Sequence, residues 1–420
     1  MSDLALGVAI ALAGVQLLKG VNAQVLRSVP ALCFWVLGAV SLLLALVAPD
    51  FPQNFVGGVR FLELFCLVPT AIMVALRSRS DAQVVLGSII GLAVVEGALG
   101  VVQALTGTGA DIGGEAIRAV GTFGAYNIGA LAGLCSLAFV ICLALGVVLT
   151  GVLRWWALGT AAFLVLPLVF SLSRSTWVAT AVAALIVVSR GRPVRMLAVA
   201  VSGVVLMAVA LPVVLASGGE LADRVESVVD AGSEPDQSVV DRLALWEAAT
   251  EMAWDHPWTG VGPRSFVEHR DAYADLRLLG SSDIAFGSEF DQVALESPHN
   301  FYLLVASEQG LVAVALFVMS FLVLLCRGLV RAARPGSGPD AAVALAGTGT
   351  LVLQLVGMLT GDLGGPSSLT LAITLGLAGW AAADTRLLRS RRPLTPLTGS
   401  VDRDPDIPSA DQPTSVGAHA

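Results

Sequence analysis

Residues 296–326 read ESPHNFYLLVASEQGLVAVALFVMSFLVLLC. The first four close a long polar, acid-rich segment, and the remainder, 300–326, is an apolar run. As a helix, a run of that length crosses a hydrocarbon core of about 30 Å. Comparable runs recur at roughly 3–18, 29–49, 58–76, 83–105, 127–150, 155–172, 175–189, 195–217, 341–360 and 367–383. Together they make about eleven spans, within a range of about 10–12. Hydrophobic residues are 56% of the chain and charged residues 13%, with a mean hydropathy of +0.81. In lipid, every backbone amide of such runs must be satisfied within its own helix. The alternation of membrane strands is absent, which excludes a β-barrel. The expected fold is an all-α polytopic membrane protein.

Charge sets the expected orientation, because basic residues collect on the cytoplasmic side. Every second connection is basic: Lys19 and Arg27; Arg77 and Arg79; Arg154; Arg190, Arg192 and Arg195; Arg327, Arg331 and Arg334; then Arg386, Arg389, Arg391 and Arg392. The alternate short connections hold only Arg60, Arg118 and Arg174. The C-terminus is therefore expected in the cytoplasm and, with an odd helix count, the N-terminus outside. The expected organisation is an N-terminal transmembrane bundle (1–217), a large extracytoplasmic loop (218–299), C-terminal transmembrane helices (300–392) and a disordered cytoplasmic tail (393–420) rich in Pro, Ser, Thr and Asp. Met1-Ser-Asp precedes the first apolar run with no positive n-region, so no cleavable signal is expected. The five cysteines lie in or beside apolar runs and form neither a disulfide framework nor a metal spacing. The net charge of −8 carries no nucleic-acid signal.

Within the large loop, 238–254 (SVVDRLALWEAATEMAW) places Val240, Leu243 and Trp246 at three-residue spacing. This predicts an amphipathic helix lying on the membrane or on the bundle, stopped by Pro257 and followed by a turn at GVGP. Charges at membrane depth mark functional sites by default. Arg174, in FSLSRSTWVA, stands at an outward turn where the basic trend places no arginine; an interfacial arginine with its stem along apolar surface is the plainer alternative. Arg242 and Arg264 are outer-loop arginines that alone would be ordinary surface charges. Glu63 and Glu96 lie inside apolar runs, as partners for an arginine or as lining of a polar cavity. His299 is one of only four histidines and stands at the membrane boundary. Its imidazole takes a proton near neutral pH and can act as a general base, or it is an interfacial structural residue. Arginines hold a diphosphate by paired contacts. Acidic residues abound in the outer loop (Asp283, Glu289, Asp291, Glu296) but form no compact cation motif.

Four blocks resemble the O-antigen ligase and O-antigen polymerase superfamily of bacterial envelope glycan enzymes. They are GTFGAYNIGALAGL (121–134), SLSRSTWVA (171–179), DRLALWEAATEMAWDHPWTGVGPRSF (241–266) and SPHNFYLLVASEQGLVAVALF (297–317). In the last, His299 and Gly310 keep the family's ten-residue separation. The resemblance implies a metal-independent, GT-C-like glycosyltransferase that needs no cofactor. Its partners would be an undecaprenyl-diphosphate-linked glycan donor, a glycan or lipid acceptor, and membrane lipid. Its place would be the outer face of the bacterial cytoplasmic membrane. It carries over Arg174 and Arg242 as diphosphate-binding residues and His299 as the base or acceptor-orienting residue. Asn127, Arg264, Asn300 and Gly310 are further candidates, with Gly310 allowing a helix or the lipid tail to approach closely. The ligase pattern has Arg, three residues, then Leu; here Trp246 takes that position and Leu245 precedes it, which tilts the resemblance toward the polymerase. A transporter of lipid-linked sugars, using Glu63 and Glu96, and a non-catalytic assembly scaffold are the competing readings.

Overall fold

The computed structural model describes residues 23–112, 115–124, 127–201, 237–274, 295–334, 338–361 and 365–383, with positions 7, 10–11, 13–15, 283–284 and 292–293 besides. Among the described residues the main helices are α1 (Val29–Val47), α2 (Phe51–Ala75), α3 (Arg79–Thr106), α4 (Ile128–Val148), α5 (Gly151–Phe170), α6 (Arg174–Ser189), α7 (Gln237–Asp255), α8 (Phe266–Tyr273), α9 (Phe301–Ala332), α10 (Pro339–Gly357) and α11 (Gly365–Ala382). Among the described residues α1 to α5, α9 and α10 are long and apolar enough to cross a membrane; α6 and the 368–382 stretch of α11 are shorter apolar helices. The expected spans at 3–18 and 195–217 lie for the most part outside the described residues, as does the tail from 393 onward.

Local chemistry sets the helix ends. Ser78 and Asp81 form a reciprocal capping box that starts α3, and Gly107 in the left-handed region ends it. A short hairpin follows, β1 (Ala110–Ile112) with β2 (Glu115–Arg118); a second, β3 (Asp283–Ile284) with β4 (Gln292–Val293), lies in the outer loop. Helix α2 contains one π turn, Glu63–Leu67, and there Glu63 pairs with Arg60 at 3.0 Å. Phe61 and Phe65 of α2 pack on Phe301, Phe317 and Phe321 of α9, with ring centroids 4.5–6.5 Å apart. This aromatic cluster fixes the start of α9, and with it the boundary at His299.

The two ends of the bundle differ in chemistry. At one, arginines cover helix carbonyls: Arg190 donates to Val147 O, Arg192 to Ala333 O, Arg327 to Ala382 O and Arg331 to Ala381 O, while Arg79 pairs with Asp340. At the other end the polar connections meet. Gln53 Nε2 donates to Arg264 O at 3.0 Å, Ala119 N to Phe170 O at 3.2 Å, and Phe301 N to Met358 O at 2.9 Å.

Candidate functional site

Helix α7 forms where expected, but its buried face is not the predicted one. Leu243 is 55% exposed, whereas Ala244, Leu245, Ala248, Ala249, Met252 and Ala253 are buried. Four alanines on that face let α7 lie close against its neighbours; their small apolar weight hides the face from a hydrophobicity pattern. Leu245, Ala249 and Met252 share a core with Val261, Phe266 and Leu295.

Beyond α7 the 257–262 segment locks into α9. Helix α9 is broken at Gly310 (φ 83, ψ 170). The freed groups go to the loop: Val261 N donates to Ser307 O, Gly262 N to Glu308 O, and Leu311 N to Pro257 O, at 2.8–2.9 Å. Both key glycines sit in the left-handed region against backbone. A Cβ on Gly260 would lie 2.2 Å from Glu308 C, and one on Gly310 would lie 2.8 Å from Pro257 O. The close approach expected at Gly310 is thus made by the outer loop, not by a second helix or a lipid tail. Sequence spacing shows that a glycine is required there; it does not show which backbone comes near.

The same loop is pinned on its far side. Ser265 Oγ donates to Oδ1 of buried Asn54 at 2.8 Å, and a Cβ on Gly57 would meet Pro263 O at 2.6 Å. The Glu308 carboxylate accepts from Phe266 N at 3.2 Å, at the start of α8. Arg270 Nη1 donates to Leu295 O at 2.6 Å, just ahead of the histidine block. Asn54, Arg270 and Glu308 are therefore structural members of this end that the sequence did not single out. Burial pushes the Tyr273 hydroxyl above its usual range, and the carboxylate of Asp255 adds to the effect.

The helix that carries Arg242 is tied to the segment that carries His299. Trp246 lies one turn after Arg242 on α7, and its indole N–H donates to Pro298 O at 2.7 Å, one residue before His299. Arg242 is half-buried and, four residues before Trp246, lies on the same side of α7. His299 is half-buried and left-handed (φ 50), and its N–H donates to Ser297 Oγ at 3.1 Å. Asn300 is the N-cap of α9, accepting from Tyr302 N and Leu303 N, which fully accounts for an asparagine there.

Arg174 opens α6 on the same side of the bundle. Gly349 of α10 packs on Val187 of α6. Counting along the helices at 1.5 Å per residue, Arg174 lies about 20 Å beyond that contact and Met358 about 14 Å beyond it. Arg174 and the His299 segment, which bonds to Met358, thus reach a similar depth. Arg174 is exposed, and Ser173 makes no side-chain cap to the helix amides behind it. A cation and free helix N–H groups together suit an anion. Arg264 is exposed and left-handed (φ 68). Asn127 precedes α4 and donates to Phe123 O at 3.2 Å. Glu96 is buried, and among the described residues its carboxylate has no ion pair with an arginine: it accepts from Thr122 N and Oγ1 at 2.8 and 2.6 Å. Gln103 binds the neighbouring Val120 and Gly121, so this pair holds the 119–124 turn.

Backbone strain collects at this end. The described non-glycine residues with positive φ are Leu172, Arg190, Arg264 and His299. Arg190 simply ends α6; the other three fall in the three blocks that carry Arg174, Arg242 and His299. Such strain clusters at functional sites. Among the described residues no group of three His, Cys, Asp or Glu is placed to hold a metal.

The described residues thus form a helical bundle with seven helices long and apolar enough to cross a membrane, as a polytopic membrane protein has, and Arg242 and His299 lie at the end that carries the 237–274 segment. Residues 159–318 match the family model described as O-antigen ligase. That match spans three of the four blocks, 171–179, 241–266 and 297–317, and agrees with the resemblance they carry. No curated protein matches the chain.

Proposed function

We propose that the protein transfers a glycan from an undecaprenyl-diphosphate carrier to a hydroxyl of an acceptor, at the outer face of the bacterial cytoplasmic membrane. The observation that carries this reading is the Trp246–Pro298 hydrogen bond, which joins the arginine helix to the histidine segment. Arg242 and Arg174, the latter with the α6 amides, bind the diphosphate and stabilise the charge that grows on it as the sugar leaves. His299 accepts the proton of the attacking hydroxyl. Direct attack on the carrier sugar gives inversion at the anomeric carbon. An open cleft of about 250 Å³, lined by Phe55, Val56, Val59, Arg60 and Glu63, descends α2 from its contact with the loop and gives the carrier a membrane-side approach.

The broken helix does not favour the transporter reading. Transporters use such breaks to present free backbone groups to a substrate or ion. Here the Ser307 and Glu308 carbonyls and the Leu311 amide are bonded to the protein's own loop.

The test uses purified protein in liposomes with a single lipid-linked repeat unit. His299→Ala, Arg174→Ala and Arg242→Ala are each expected to abolish transfer while the protein still inserts. Normal transfer by any of them removes that residue from the mechanism. A ladder of lengths identifies a polymerase; a single transfer only after a separate acceptor is added identifies a ligase.

A further inference from the structure

Helix α9 records where the bilayer begins. Between Phe301 and Gly310 no side chain is exposed. From Val312 onward exposed apolar side chains recur: Val312, Val318, Met319, Leu322 and Val330. At 1.5 Å per residue, Leu311 to Arg331 measures about 30 Å, the thickness of a hydrocarbon core. The outer edge of the core therefore lies at Gly310–Val312. Helix α2 gives the same level, since its exposed Phe51, Phe55 and Val56 flank the Asn54–Gly57 contact with the loop.

The loop segment seated at this level carries two exposed tryptophans. Pro257 O accepts from Leu311 N, which places the next residue, Trp258, beside the core edge. Trp258 is 75% exposed and Trp254, one turn earlier, 69% exposed. Neither indole N–H is bonded within the described residues, in contrast to Trp177 and Trp246, whose N–H groups reach carbonyls. We propose that Trp254 and Trp258 seat the tip of the outer loop in the headgroup layer of the outer leaflet. Their rings cover the acyl boundary, and their N–H groups meet headgroup oxygens or water. Only the tip enters: along the exposed face of α7, Glu247 and Glu251 lie between Leu243 and Trp254, and carboxylates are held out of lipid. The partner is phospholipid, and the contact aligns the outer loop with the plane of the membrane.

The test places a nitroxide at Trp258→Cys, at Trp254→Cys and, as control, at Leu243→Cys, each in a Cys326→Ser background. The full-length protein is reconstituted in phosphatidylethanolamine–phosphatidylglycerol vesicles. Oxygen and a water-soluble nickel chelate are compared as relaxing agents. Oxygen should dominate at 254 and 258 and the chelate at 243. Chelate dominance at all three sites would overturn the proposal. So would shielding at 258 that arises only when soluble glycan is added, which would make the tryptophans a sugar platform. Two independent label sites keep the test decisive if one variant fails to fold. The result does not depend on transfer activity.

Discussion

Three side chains at the loop-bearing end, Leu172, Arg264 and His299, stand on left-handed backbone. His299 is placed by Ser297 behind it, by Trp246 through Pro298, and by the Asn300 cap ahead of it. Trp246→Phe removes one hydrogen bond and keeps the ring. The expected loss of stability is about 1 kcal/mol, read as a small fall in melting temperature. Transfer should fall by more than that loss explains, because the histidine segment is no longer tied to α7. Transfer unchanged from the parent would show that the tie is only structural. In the sequence, Arg174 and His299 stand out because charge at a membrane boundary is rare, whereas Arg242 is singled out only by the resemblance. The partners of Glu96, which stands out, and of Glu308, which does not, are hidden: each carboxylate serves a backbone amide far away in the chain, and spacing cannot show such partners.

At the scale of elements, the decisive feature is the union of the 257–262 loop with the broken α9. It gives a physical reason for two of the family-like blocks to occur together, since each satisfies backbone groups that the other leaves open. Gly310→Ala and Gly260→Ala are expected to cost at least about 1–2 kcal/mol from left-handed backbone alone, with the close contacts adding to it. Limited proteolysis of the outer loop should then speed up in both variants. Equal resistance to that of the parent would deny the loop its role as a brace. The helix of 237–255 is visible in the sequence, but its packing face is not. Alanines pack by being small, and a search for large apolar residues selects Leu243, which faces solvent.

For the whole molecule, the arginine-rich end and the loop-bearing end are separated by the apolar spans, and the charge pattern alone reveals that division. The placement of the basic end in the cytoplasm is tested by a membrane-impermeant thiol reagent applied to intact cells in a Cys326→Ser background. Thr250→Cys, on the exposed face of α7, should be modified, and Arg79→Cys should react only after lysis. The opposite pattern would invert the proposed orientation. The positions of the long apolar helices α1 to α5, α9 and α10 are readable because a hydrocarbon core of about 30 Å imposes one length scale on them. The way the outer connections cross-link is not readable, because those contacts join residues up to 211 positions apart.

The break at Gly310 also has a consequence for biogenesis. Until the 257–262 segment arrives, the Ser307 and Glu308 carbonyls and the Leu311 amide have no partner, at several kcal/mol each in lipid. Residues 301–309 also carry Glu308 and Gln309, so they gain little by remaining in the bilayer alone. Leu311–Ala332 is by itself long enough to be integrated as one clean span. The nascent chain should therefore deliver its outer loop across the membrane first, integrate the lower part of α9 next, and close the upper part onto the waiting loop last. With the loop on the outer side, as proposed, the histidine segment would be assembled only after translocation, when both faces of the membrane are already defined.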